Sequence, residues 1–222
     1  MDFTTLKIPG TDAIRLLREH RSRYPATGQY PFLIGDDNDL RHLKDHLEIN
    51  NQDPDAIIRT SLNINVPEWI SQKAGFEEEE STEELLGDWP GEIHHKGSIG
   101  LHMNVLRKKV KPDVYLGFAN IEKPWQLPGT LKLGAWNDCP EPEIHCAFHR
   151  EWHERFGAEI TGVSGDVVEC SVKNPPNSRK SAIALAWEQF WYCSDIVLQG
   201  TDSISNLAAR LMNSTYWYFW WD

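Results

Sequence analysis

Three sets of side chains have the types and spacing to do chemistry. Glu188 stands in the most apolar helical stretch of the chain, flanked on a helical wheel by Ala184, Leu185, Trp191 and Tyr192. A buried carboxylate without partners is costly, so it must be hydrogen-bonded, ion-paired or protonated. Asn137, Arg150, Asp166, Gln189, Tyr192, Asp195 and Asp222 could supply partners in one buried or cleft-floor network. Such a network either fixes helix packing or forms a ligand or catalytic site. His145, His149 and His153 follow at i, i+4 and i+8, a spacing that lets two imidazoles share a metal, with Cys139 and Cys146 nearby in sequence. Zinc wants three or four ligands in tetrahedral array, whereas one helix presents two, and HExxH is absent. A metal at His145 and His149 is thus the weaker alternative to histidines along a solvent flank. Cys193, two residues before Asp195, has no base placed by sequence, and a core cysteine is the plainer reading. Patterns of the GxSxG, Walker and dinucleotide-glycine kinds are absent, so no cofactor is expected.

The elements that must position these residues follow from periodicity. Phe3–Ile8, a helix capped by Thr11 or Asp12 with Ile14, Leu17 and Tyr24, a turn at Pro25–Gly28 and then Tyr30–Ile34 make a βαβ-like unit, which suggests a parallel strand pair. Gly35-Asp36-Asp37 is no phosphate loop, because its two carboxylates would repel an anion; the acids read as caps of a helix carrying Leu40, Leu43 and Leu47. Residues 49–113 have the least readable pattern, with a turn-rich Asn50–Pro54, a short helix after Pro67 at Glu68-Trp69-Ile70, and the acidic stretch Phe76–Leu86. Six of the eight residues from Glu77 to Glu84 are Glu. That run is either a solvated helix or loop, or a docking element for a basic partner.

From residue 114 the pattern sharpens. Tyr115–Ile121 and Leu131–Ala135 read as strands. Pro142 opens a helix to about Arg155, with Ile144, Ala147, Phe148, Trp152 and Phe156 on one stripe and Arg150 almost opposite, toward solvent or a partner. Ala158–Val163 and Val167–Lys173 form a plausible hairpin. Ser178–Cys193 is a helix apolar all round, hence buried. Asp202 or Ser203 caps a last helix, and the aromatic run Tyr216–Trp221, apolar on both faces, predicts a central strand. Its aromatic residues read as core before binding box.

Several segments together carry a resemblance. They are Gly134–Pro140, Arg150-Glu151-Trp152, Phe156–Glu159, Asn174-Pro175-Pro176, Leu185–Gly200, Leu207-Ala208-Ala209 and Trp217–Asp222. In order and spacing, residues 113–222 resemble the bacterial family of domain of unknown function numbered 4253. Gly10–Ala13 and Thr27–Pro31 are similar to the segment that often precedes that domain. The resemblance attaches no activity, and of the three histidines it supports only His145.

The 222 residues, 40% hydrophobic and 25% charged, suit an ordinary globular protein of α/β or α+β class with a mixed sheet flanked by helices. Organisation is expected as 1–100, a βαβ-like region with a variable acidic segment, and 101–222, the domain that carries the resemblance. No apolar run is long enough to span a membrane and the N-terminus has no signal-peptide pattern, so a cytoplasmic protein is expected. Its four cysteines show no CxxC pattern, and reduced thiols are the default. A net charge of −11 repels phosphate backbones and argues against nucleic acid. The basic cluster Arg107–Lys111 reads as a solvated segment. The favoured function is a protein-binding module of immunity or antitoxin type with a basic partner, oligomeric state open. The alternative is a small-ligand-binding or hydrolase-like site around Glu188, Arg150, Asp195 and Asp222.

Overall fold

The computed structural model describes residues 3–75, 79–91, 97–104 and 106–222. Phe76, Glu77 and Glu78 of the acidic run lie outside the described residues. The first strand, β1 (Phe3–Pro9), leads into α1 (Ala13–Thr27) and β2 (Gln29–Gly35). Helix α1 runs through the expected turn, because Pro25 forfeits one backbone bond only. Gly28, at φ 69°, ends it with its N–H on the Tyr24 carbonyl at 2.9 Å. Next come α2 (Asp37–Ile49), α3 (Pro54–Ser61), α4 (Val66–Ala74) and α5 (Glu79–Leu86). Asp36 caps α2 as its position implies, accepting from the N–H groups of Asn38 at 3.0 Å and Asp39 at 3.4 Å, while Asp39 accepts from the N–H of Asp36. A small hairpin, β3 (Met103–Asn104) and β4 (Lys109–Val110), precedes β5 (Asp113–Asn120). Arg107, Lys108 and Lys109 are exposed, but Lys111 is not the solvated cation expected: its ammonium is drawn in between Asp36 and Asp39.

The second half adds α6 (Leu127–Thr130), α7 (Pro142–Phe156), β6 (Ala158–Val163), β7 (Val167–Val172), α8 (Arg179–Tyr192), α9 (Asp195–Leu198), α10 (Ile204–Leu211) and β8 (Tyr216–Trp220). The expected strand at Leu131–Ala135 does not form. Lys132, Gly134, Ala135 and Asn137 all have positive φ, which an extended strand cannot contain. Ser178 and Ser203 cap α8 and α10 through their side chains.

Six strands make one mixed sheet in the order β1-β5-β2-β6-β7-β8. Every pairing is antiparallel except that of β2 with β6. β1 and β2 do run parallel, but they are not partners: β5 lies between them and pairs with both. The N-terminal strands and the C-terminal half therefore share one sheet.

Strand alternation divides the core between two faces. Phe32, Ile34, Cys170, Trp217 and Phe219 pack with α7, α8 and α10 on one side, whereas Leu33, Val167 and Leu116 pack with α1 on the other. Strand β8 belongs to the sheet but sits at its edge, not at its centre. Its apolar faces misled the reading because Trp217 and Phe219 are buried by helices, while Tyr218 remains 46% exposed. Around Tyr192 the aromatic core is dense: Trp152 stacks on Phe219 at 5.3 Å and meets Trp217 edge-on at 5.7 Å. Such pairs contribute about 0.5–1.5 kcal/mol each beyond their buried area. Among the described residues no helix is long and apolar enough to cross a membrane.

Candidate functional site

The polar residues singled out by sequence do not form one network. Glu188 is ion-paired, as its apolar surroundings require: its Oε2 accepts from Arg155 at 2.8 Å and from the Trp152 indole at 3.2 Å. It is not sealed in the core. Helix α8 leaves Ala184 exposed and Ile183, Trp187 and Glu188 half-buried, so one flank opens to a shallow cavity of about 230 Å³ beside Val66 and Ile70. Arg150 is part-buried and turned onto the chain itself. It donates to the carbonyls of Ser61 at 3.1 Å and Ile64 at 3.4 Å, tying α7 to the C-terminal end of α3, where carbonyls lack helical donors.

Asn137, Asp195 and Asp222 do come together. Asn137 donates to the Asp222 carbonyl at 2.8 Å and Asp195 accepts the Asp222 N–H at 3.0 Å, so a loop and the start of α9 hold Asp222 after β8. Asp166 accepts from the Ser164 hydroxyl at 3.0 Å, and its carbonyl accepts from the Trp221 N–H at 3.1 Å.

Tyr192 belongs to a different group, which the helical wheel missed. His145 and His149 are buried, not on a solvent flank. The Tyr192 hydroxyl lies 2.5 Å from His145 Nδ1 and 3.1 Å from His149 Nε2. One hydroxyl proton serves one imidazole, so the other must present an N–H to the phenol oxygen. Burial, and secondarily the neighbouring His149, holds His145 well below the usual imidazole range, and burial pushes His149 down to about 3. Burial likewise pushes Tyr192 far up. All three are neutral near pH 7. Cys139 and Cys170 lie beside the outer ring nitrogens at 3.3 and 3.9 Å. Burial raises all four thiols, Cys146 and Cys193 to about 12, so none is a poised nucleophile. Among the described residues no group of three or more His, Cys, Asp or Glu is arranged to hold a metal.

Two of the predicted residues, Gln189 and Asp195, line a cavity of about 280 Å³ at the outer edge of β8. Helix α10 supplies Leu207 and Leu211, α9 supplies Ile196, and β8 supplies Trp217, Tyr218 and Trp220. The wall is mostly apolar with a few converging polar groups, as ligand sites are. Gln189 is 1% exposed, yet its amide nitrogen has no hydrogen-bond partner; neither does the indole nitrogen of Trp217. Of the other polar groups of the wall, Thr201 donates to the Ile196 carbonyl, Ser214 to the Tyr216 carbonyl, and Asp195 accepts from Gln199 and Asp222, while Arg210 brings an exposed cation.

One buried carboxylate escaped the sequence reading. Glu169 accepts from the Gly100 N–H at 2.6 Å, the Tyr216 hydroxyl at 2.7 Å and the Leu101 N–H at 3.4 Å, which pins residues 100–101 onto the sheet. Burial raises its pKa, and these bonds partly offset that. The signal was present: Glu169 interrupts the strand Val167–Val172, in which the flanking residues are apolar.

Sheet and helices thus define a mixed α/β protein with ligand-sized cavities at one edge. Residues 115–222 match the family described as Domain of unknown function (DUF4253), so the C-terminal half of the chain carries that domain. The matched region includes every wall residue of the β8 cavity except Gly97. No curated protein and no solved structure matches the chain.

Proposed function

We propose that the protein binds a small, largely apolar molecule bearing an oxygen acceptor, in the cavity between α8, α10 and the outer edge of β8. What carries the reading is Gln189, a wall residue of this cavity whose buried amide nitrogen has no protein acceptor. An unmet buried donor costs about 1–3 kcal/mol, which a carbonyl or carboxylate oxygen of a ligand would offset. The Trp217 indole can provide a second donor, and Trp220 and Tyr218 offer aromatic surface. This is the small-ligand reading of the sequence, moved from Glu188 and Arg150 to Gln189 and Asp195.

Acetophenone and ethylbenzene test it, since they are similar in shape and differ in one carbonyl oxygen. Ligand-observed NMR titration should show acetophenone binding at least tenfold more tightly, with the preference lost in Gln189→Leu. Equal affinities in the wild-type protein, or no saturable binding of either, overturn the proposal.

A second reading, a basic protein partner in the manner of immunity or antitoxin proteins, is supported by the net charge of −11 and by the exposed Glu83 and Glu84 of α5. Native mass spectrometry of protein purified gently from its own source should then find a stoichiometric protein adduct that is lost at high salt and in the Glu83→Gln/Glu84→Gln variant. A bare monomer sinks this reading. Four buried thiols without a disulfide support a reducing, cytoplasmic location.

A further inference from the structure

On the opposite side of Tyr216 lies the larger cavity, a cleft of about 810 Å³ between α1 and strands β6 to β8. It is separate from the β8 cavity in its lining except at Gly97 and Tyr216, which stand between the two. Their contact is tight: a Cβ at Gly97 would come within 2.3 Å of the Tyr216 ring.

The charges of the cleft are unequal in kind. The two terminal nitrogens of Arg21 are engaged, donating to Glu159 at 2.6 Å and to the carbonyls of Ile160 at 2.8 Å and Pro31 at 3.1 Å, with the guanidinium over the Tyr30 ring at 4.1 Å, while its buried Nε has no partner among the described residues. Glu159 is thereby neutralised. Arg18, one turn earlier on α1, also lines the cleft, is exposed, and has no carboxylate partner among the described residues. Glu169 beneath has its oxygens bonded to Gly100, Leu101 and Tyr216. Among the described residues the cleft therefore has at its rim a cation without a carboxylate partner, in a protein of net charge −11. Ile14, Leu17, Ile99 and Val172 make much of the remaining wall apolar.

We infer that this cleft is a second binding site, which takes an amphipathic organic anion: an acidic head at Arg18 and an apolar body along Ile14, Leu17, Ile99 and Val172. The volume falls within the range of about 300–1,000 Å³ typical of small-molecule sites. A net charge of −11 disfavours anions over much of the surface, so a cation at the mouth of this cleft favours the entry of one there.

Octanoate is the probe, with octanol as its uncharged counterpart, followed by isothermal titration calorimetry on the full chain. Octanoate should bind saturably and at least tenfold more tightly than octanol. Arg18→Gln, a change at an exposed position, should weaken octanoate at least tenfold and leave acetophenone binding at the β8 cavity unchanged. Arg23→Gln, on the same helix but outside the cleft, should leave octanoate binding as in the wild type. The inference is overturned by absence of saturable octanoate binding, by equal affinity in Arg18→Gln, or by an equal loss in Arg23→Gln. Because acetophenone reports on the other cavity, failure here and failure of the β8 site are told apart.

Discussion

Two buried polar regions, both built on α8, solve the same problem differently. At Tyr192, three neighbouring side chains satisfy one another: the phenol bridges His145 and His149, with thiols beyond. At Gln189, three residues earlier, a residue that lines a cavity has its buried amide nitrogen left without a partner. Burial and polarity are shared, so neither marks a site. Saturation separates them: a closed network fixes packing, whereas an unmet donor beside a void is poised for something that is not part of the chain.

Removing the hydroxyl is the substitution that should hurt most at neutral pH. Tyr192→Phe leaves two buried imidazole nitrogens without their partner, and a loss of about 3 kcal/mol is expected in urea denaturation. A change below about 0.5 kcal/mol would mean the network is not what holds this part of the core.

Acid should erode the same region. Folded His145 and His149 stay neutral, while unfolded imidazoles protonate with a pKa near 6.5. The unfolded chain then binds more protons, so stability present above about pH 6.5 falls as pH drops below it, by roughly 1.4 kcal/mol per pH unit for each histidine, for His149 down to about 3. Glu169, raised by burial, acts with the opposite sign, so the fall should steepen in Glu169→Gln. A flat profile between pH 7 and 5 in both proteins contradicts the assignment of neutral buried imidazoles.

The smallest expected effect has the reverse sign. Gln189→Leu removes an unmet donor and should stabilise the ligand-free protein by about 1 kcal/mol, read as a raised denaturation midpoint. Destabilisation by a similar amount would place Gln189 with Tyr192 as a structural residue and dissolve the contrast.

Much of the chain was legible locally. The stripe Ile144–Phe156 predicted α7, Asp36 and Ser203 were recognisable caps, and Glu188 had to find a partner because its neighbours are apolar. The candidate site was legible only in part. Gln189 and Asp195 reach one cavity, but Arg150 is consumed by α3 and Tyr192 by histidines that a helical wheel sets on a flank. A wheel states which residues share a face of α7; it cannot state that the sheet covers one side and α3, α4 and α6 another.

The sequence by itself determined the class of elements, the aromatic core and the resemblance of residues 113–222, since these depend on period, caps and residue type over short spans. Tertiary structure alone decided that β5 separates β1 from β2, that β8 lies at an edge, and that the polar residues divide into separate groups. Strand order and the saturation of a buried donor depend on residues distant in the chain, and no local periodicity records which of them will meet.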